Sequence, residues 1–283
     1  MIRIHAIQTG SVGIKTAQLE GRGQGVQRLL NVLTDPVWTE PMPIYAWVIE
    51  HSEGIIVVDT GETARSTEQS YFPRWHPFFR RATRFYVCPD DEIGPQLRRL
   101  GIAPRDVRWV VLTHLHTDHA GGLAHFPASE ILIAREEYQV AKGIPGRIRG
   151  YLPERWPTWL RPRLIDFAPQ PGGPFPASFP LTSAEDIILL STPGHTAHHL
   201  SVLVRDSGLS YILAGDASYS EQLMLRQVTD GVSPNPAITR QTLSRLRDYA
   251  QSNPTVYLPS HDPAAARRLA TRTTVSLPQA ASA

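Results

Sequence analysis

His114-Leu115-His116-Thr117-Asp118-His119 follows the apolar run Trp109-Val110-Val111-Leu112-Thr113. Three imidazoles and a carboxylate within six residues, at the mouth of a predicted buried strand, make poor packing material. They suit a metal ion: imidazole nitrogen and carboxylate oxygen are ligands that Zn²⁺ and similar divalent ions take. The stretch therefore reads as the centre of a metal site, and further ligands are to be sought at other strand ends.

Several β-like runs end in the same kind of group. Val57-Val58 leads to Asp59-Thr60-Gly61, and Asp186–Leu190 leads to Pro193-Gly194-His195. Leu209–Ala214 leads to Gly215-Asp216, and Thr255–Leu258 to Pro259-Ser260-His261-Asp262. Groups at the ends of core strands are well positioned without being buried in the sheet. Residues 114–119 with His195, Asp216 and His261 supply five imidazoles and two carboxylates. That is enough for two metals that each keep an open position, the mark of a catalytic site. Two close metals can share a hydroxide nucleophile and polarise a carbonyl or phosphoryl oxygen.

The remaining pattern alternates strands and helices. Strands are predicted over Ile2–Gln8, Ile44–Glu50, Gly54–Asp59, 107–113, Glu130–Ala134 and His199–Val204, with a turn at His51–Gly54. Helices are predicted near Val26–Val32 and over Asp91–Leu100, Arg135–Ala141, Ile238–Tyr249 and Ala264–Ala270, the fourth opened by Asn235 and Pro236. The small residues Ala120-Gly121-Gly122 are expected to let the backbone approach a metal closely. Residues 1–270 read as one domain with loop-rich insertions near 10–43, 71–89 and 143–180, and 271–283 as a mobile tail. In residues 71–81, aromatics interleave with arginines; this is a cap segment or dimer contact, or else a base-stacking platform.

Composition narrows the classes. In 283 residues, 41% are hydrophobic and 19% charged, and the formal net charge of +2 does not argue for a nucleic-acid partner. Cys88 is the single cysteine, which excludes an internal disulfide and suits a reducing compartment. No secretory h-region or membrane-length apolar run is visible, so a cytoplasmic location is expected, with a homodimer admitted.

Together, Asp59-Thr60-Gly61, the 114–119 loop, Pro193-Gly194-His195, Gly215-Asp216 and Ser260-His261-Asp262 resemble the metallo-β-lactamase superfamily in motif order. The resemblance implies an α+β fold, an αβ/βα sandwich of two mixed sheets with helices outside and metals at one edge. It implies His114, His116 and His195 on one metal, Asp118, His119 and His261 on the other, and Asp216 bridging. Asp59 resembles the buried aspartate that orients the metal loop. His199 resembles a second histidine found four residues after the His195 position, and reads equally well as an inward-facing strand residue. His5, His51, His76, His125 and His198 are read as non-ligands.

Asp216-Ala217-Ser218-Tyr219 is similar to the Asp-x-x-Tyr segment of the N-acyl-homoserine lactonase branch, the quorum-quenching enzymes. The expected reaction is hydrolytic opening of a lactone ring by a metal-bridging hydroxide. Tyr219 would hold the substrate oxygen and Asp118 would carry a proton to the leaving alkoxide. The expected cofactors are two divalent ions, zinc by default, with manganese, cobalt or iron admissible. The expected partner is a small lactone with an acyl chain. Segments 71–86 and 143–180 have no counterpart in that branch and would shape the acyl pocket. Rival readings are another lactone, a glyoxalase II-like thioester and a phosphodiester or organophosphate. A redox di-iron protein is disfavoured by His116, where such proteins carry a carboxylate, and a true β-lactamase by the carboxylate of Asp216.

Overall fold

The computed structural model describes residues 2–169 and 175–276. Thirteen strands form two sheets among these residues. The first holds β1 (Arg3–Ile14), β2 (Met42–His51), β3 (Gly54–Val58), β4 (Thr83–Tyr86), β5 (Val107–Val111), β6 (Glu130–Ala134) and β7 (Arg163–Ile165). Its order is β4-β1-β2-β3-β5-β6-β7. The second holds β8 (Ala168–Pro169), β9 (Ala177–Pro180), β10 (Ile187–Ser191), β11 (Leu200–Asp206), β12 (Leu209–Gly215) and β13 (Thr255–Pro259), in the order β13-β12-β11-β10-β9-β8. Both are mixed: β3, β5, β6 and β7 run parallel in the first, and β12 and β13 in the second, while the other pairings are antiparallel.

The period of two along each strand sends alternate side chains to opposite faces. In β2, Trp47 and Ile49 pack between the sheets with Val58, Val111, Leu189, Val202, Leu213 and Leu258. Ala46 and Val48 face the other way, with Ile93 and Leu97 of the helix Ile93–Arg99. On the far side of the second sheet, Leu203, Ile212 and Tyr257 pack with Leu243 and Leu246 of the helix Pro236–Ser252. The result is a sandwich of two sheets with helices on the outer faces. Asn235 caps the latter helix as expected, its side chain accepting from the Ala237 and Ile238 amides, with Pro236 in the first turn.

Three expectations are corrected. β1 runs to Ile14, so residues 10–14 belong to the sheet rather than to a loop-rich excursion. A bulge between Gln8 and Ser11, with Gly10 at φ 102°, breaks the alternation there and hid the strand's second half. The 143–180 segment is partly regular, supplying the helix Ile144–Ile148 and strands β7, β8 and β9; its residues 170–174 lie outside the described residues. Of the expected mobile tail, Thr273 and Val275 are hydrogen-bonded to the fold, the Val275 amide donating to Thr255 O at 2.8 Å; residues 277–283 lie outside the described residues.

Candidate metal centre

β3, β5, β10, β12 and β13 all end at one edge of the sandwich, and their C-terminal ends carry Asp59, the 114–119 loop, His195, Asp216 and His261. The sequence-selected residues meet there in two groups. His114 Nε2 and His195 Nε2 each lie 3.0 Å from His116 Nδ1. His119 Nε2 lies 4.0 Å from Asp118 Oδ1, and His261 Nε2 lies 3.4 Å from Asp118 Oδ2. Asp216 stands between the groups: Oδ2 is 3.5 Å from His195 Nε2, while Oδ1 is 3.4 Å from His119 Nε2 and 3.3 Å from His261 Nε2. The sets His114–His116–His195 and Asp118–His119–His261 each converge closely enough to hold one ion, and so does His114–His119–Asp216.

The hydrogen-bond directions favour a cation. Each imidazole turns one nitrogen to the centre and the other to an acceptor. His119 Nδ1 meets Asp59 Oδ2 at 2.7 Å, His261 Nδ1 meets Pro43 O at 2.8 Å, and His195 Nδ1 meets Asp230 Oδ2 at 3.4 Å. His114 Nδ1 faces the Thr113 hydroxyl at 3.1 Å, and His116 bonds the Arg149 backbone. With a proton on each outer nitrogen, the inner nitrogens would be free to ligate an ion. His119 Nε2 and Asp216 Oδ1 are buried without a hydrogen-bond partner. Such orphaned buried polar atoms are costly unless a cation satisfies them. Nitrogen and carboxylate donors fit a borderline or hard divalent ion.

Electrostatics follow this geometry. Burial, reinforced by the neighbouring imidazoles, drives His114 and His116 well below the usual histidine range. Burial also opposes a charge on His119, but Asp216, Asp59 and Asp118 outweigh it and hold that ring well above the range. His195 and His261 are raised too, burial being overcome by Asp230 and Asp216 for the former and by Asp216 and Asp118 for the latter.

Other assignments are settled by contact. Asp59, wholly buried, accepts from the Thr113 amide at 2.8 Å and the Thr113 hydroxyl at 2.9 Å as well as from His119. His199 stands behind Asp216 rather than in either triad. Its Nε2 accepts from the Asp216 amide at 3.1 Å and its Nδ1 meets Thr192 Oγ1 at 2.9 Å. Burial lowers its pKa to about 3, so the ring is neutral and can accept. The glycines after the loop have another use than expected. A Cβ at Gly122 would lie 2.3 Å from Thr60 O, and one at Gly121 would lie 2.5 Å from Glu62 Oε1, so they admit the 60–63 backbone, not the metals. His5, His51 and His125 pair with Glu50, Asp186 and Glu92, and His76 bonds Ile148 O, all away from the centre.

Tyr219 stands beside the centre, its ring 5.9 Å from that of His195 and 5.6 Å from that of His261. Gln18 Nε2 donates to the phenol oxygen at 2.8 Å, leaving the phenol's own proton to donate elsewhere. Burial, with Asp216 and Asp230 nearby, raises the phenol well above the usual range and keeps that proton on. Beyond lies a cavity of about 530 Å³, lined by Gln18, Leu29, Phe78, Phe85 and Tyr151 among others. The 71–86 segment forms part of its wall, as a cap: Phe72 stacks on Phe79 at 4.4 Å and on Phe85 at 5.5 Å, so these rings satisfy one another.

Further residues surround the centre; of these, Asp230, Arg28 and Glu137 were not singled out from sequence. Asp230 orients His195, and buried Arg28 ties the helix Gly25–Thr34 to the Thr229 and Asp230 carbonyls. Tyr151 stacks on His116 at 5.0 Å, and its hydroxyl donates to Glu137, which also accepts from the Leu115 amide and Thr196 hydroxyl. Asp230 and Arg28 follow no strand end, and Glu137 sits after β6 inside a helical run, so strand-end logic did not single them out.

Comparison with known proteins agrees with this architecture. An N-acyl homoserine lactonase of Bacillus thuringiensis is 28% identical over 227 residues, 78% of this chain and 82% of that protein. A protein of Mycobacterium tuberculosis named as a probable metallo-hydrolase is 32% identical over 177 residues, and the match spans only 56% of its length. Among solved structures, an N-acyl homoserine lactone hydrolase with the product N-hexanoyl-L-homoserine at its catalytic metal centre superposes with a TM-score of 0.72 at 22% identity, covering 92% of this chain and 93% of that one. The model of the metallo-beta-lactamase superfamily matches residues 39–261, and the chain belongs to that superfamily.

Proposed function

We propose that this metallo-hydrolase uses two divalent ions, zinc by default, to open the ring of N-acyl-homoserine lactones. The observation that carries the dinuclear reading is Asp216, whose two oxygens face different histidine groups. His114, His116 and His195 would hold one ion, Asp118, His119 and His261 the other, with Asp216 shared. Two such ions supply a water nucleophile at neutral pH and polarise the scissile carbonyl.

The chain's own groups do the rest. Tyr219, oriented by Gln18, donates its phenol proton to the substrate oxygen, where negative charge develops. Asp118, partly exposed while its neighbours are buried, takes a proton and passes it to the leaving alkoxide. The apolar cavity suits a neutral ring with an aliphatic tail. The lactonases among the relatives support this substrate class. Other lactones, thioesters and phosphodiesters share the metal requirement and form the comparison set.

The test is a panel measured by proton release: acyl-homoserine lactones, γ- and δ-lactones, a thioester and a phosphodiester. Acyl-homoserine lactones should turn over fastest, and equal or slower turnover would sink the lactonase reading. Tyr219→Phe should lower lactone kcat by about tenfold to a hundredfold with metal content unchanged. Unchanged kcat would remove the phenol from the chemistry.

A further inference from the structure

The cavity mouth has an unusual surface. Three segments frame it: the helix Gly25–Thr34, residues 74–81 with the helix Pro77–Arg81, and the helix Ile144–Ile148. They are joined locally, since the first two helices pack together and His76 Nε2 bonds Ile148 O at 3.1 Å. Six of the eleven exposed large apolar side chains among the described residues lie on these segments: Val26, Leu29, Leu30, Trp75, Ile144 and Ile148. Val26 and Ile144 are 75% exposed and Trp75 is 62% exposed. Such clustering marks an interaction site rather than scattered surface apolarity.

Charge is concentrated in the same place. Residues 21–34, 71–88 and 138–153 carry nine Lys or Arg and no Asp or Glu, in a chain of formal net charge +2, which leaves −7 for the remainder. Arg22, Arg74, Arg80, Arg81, Lys142 and Arg149 are exposed. Arg147 is the exposed cation of these segments that pairs with a carboxylate, Glu154 at 3.0 Å. Near-neutral total charge thus conceals a cationic, apolar-tipped rim.

We propose that this rim docks the cavity mouth onto an anionic lipid surface. Aliphatic and tryptophan side chains flanked by arginine are what an interfacial segment inserts below the headgroups while its cations meet lipid phosphate. A second copy of the chain is a poorer occupant, because a two-fold interface would set the cationic rim against itself. A nucleic acid would match the charge but not Val26, Leu30, Ile144 and Ile148, which offer bases nothing to stack on. Docking in this pose opens the cavity to the bilayer, so a substrate with an apolar tail could pass from lipid to site without crossing water. That last consequence rests on the lactonase reading; the docking itself does not.

The test is co-sedimentation of the full metal-loaded chain with vesicles of phosphatidylcholine alone and of phosphatidylcholine with phosphatidylglycerol. Binding to the anionic vesicles should be at least about fivefold greater and should fall as salt rises from about 0.05 M to about 0.5 M. Two double variants lie off the cavity lining: Arg80→Glu with Arg81→Glu, and Leu30→Ser with Ile144→Ser. Each should reduce vesicle binding about fivefold or more while turnover of a water-soluble short-chain ester and the circular dichroism spectrum stay unchanged. Absent or equal binding to the two vesicle types overturns the proposal, as does salt-independent binding by the unaltered chain, which requires no variant to fold. Tighter binding to duplex DNA than to anionic vesicles at equal salt, or a dimer that buries the rim, also overturns it. Because vesicle binding is read without turnover, failure of the docking and failure of the lactonase reading remain distinguishable.

Discussion

Asp59 shows how much one buried carboxylate does at this centre. It sits at φ 60°, a left-handed conformation that aspartate tolerates better than most residues, and both its oxygens are engaged by Thr113 and His119. Asn in its place would present an amide N–H toward a hydroxyl or imidazole hydrogen that needs an acceptor. Asp59→Asn is therefore expected to weaken metal affinity by about 10- to 100-fold, read by competition with a chromogenic chelator. Unchanged affinity would mean that Asp59 does not orient His119. The aspartate was legible because it ends an apolar run. His199 was half legible: its spacing from His195 drew notice, but only its bond to the Asp216 amide places it behind Asp216 rather than among the candidate ligands.

At the scale of the element, the centre depends on how strands terminate. β12 ends at Gly215, whose φ of 56° turns the chain so that Asp216 enters the site. A Cβ there would lie 2.6 Å from His199 Nε2 and 2.8 Å from the Thr113 side chain. Gly208, at φ 80°, also has a left-handed backbone, but a Cβ there meets nothing within 4 Å. Gly208→Ala should cost about 1–2 kcal/mol in urea denaturation, the backbone term alone. Gly215→Ala should cost more and should also lower metal content; equal costs for the two would show that the close approach is not limiting. Strand ends were readable because apolar runs stop at polar groups. The Gly10 bulge and the wall at 71–86 were not, since one interrupts the period of two and the other has no period.

For the whole molecule, the decisive fact is that each candidate metal-holding triad draws on both sheets. His114 and His116 follow β5 while His195 follows β10, and Asp118 and His119 follow β5 while His261 follows β13. On the proposed reading a bound ion would staple the sandwich, so chelation should lower Tm and re-addition of zinc should restore it. A chelated protein whose Tm is unchanged would contradict such coupling. The metal-free chain should also show a pH signature from Glu62, wholly buried beneath the loop. Burial raises its pKa to about 8, against the Thr63 amide, which donates to its Oε1 at 2.8 Å and pulls the other way. The folded chain keeps this proton to about pH 8, whereas the unfolded chain releases it near the ordinary glutamate value of 4.5. The group's contribution is thus full below that lower value and is lost as pH rises through the higher one. In chelator, urea stability should fall between those limits and fall less in Glu62→Gln; parallel profiles would assign the slope to other groups.

The sequence by itself determined which side chains are candidate ligands, their order, and the strands that carry them. These are local properties, since alternation and strand-end residues are set by neighbours along the chain. Only the tertiary structure decided that the candidate ligand groups from the two sheets meet at one edge and that Asp230, Glu137 and Gln18 stand behind His195, Tyr151 and Tyr219. The cationic, apolar rim likewise gathers from three separated segments. Such groupings arise from the packing of two sheets and their covering loops, and no periodicity along the chain records them.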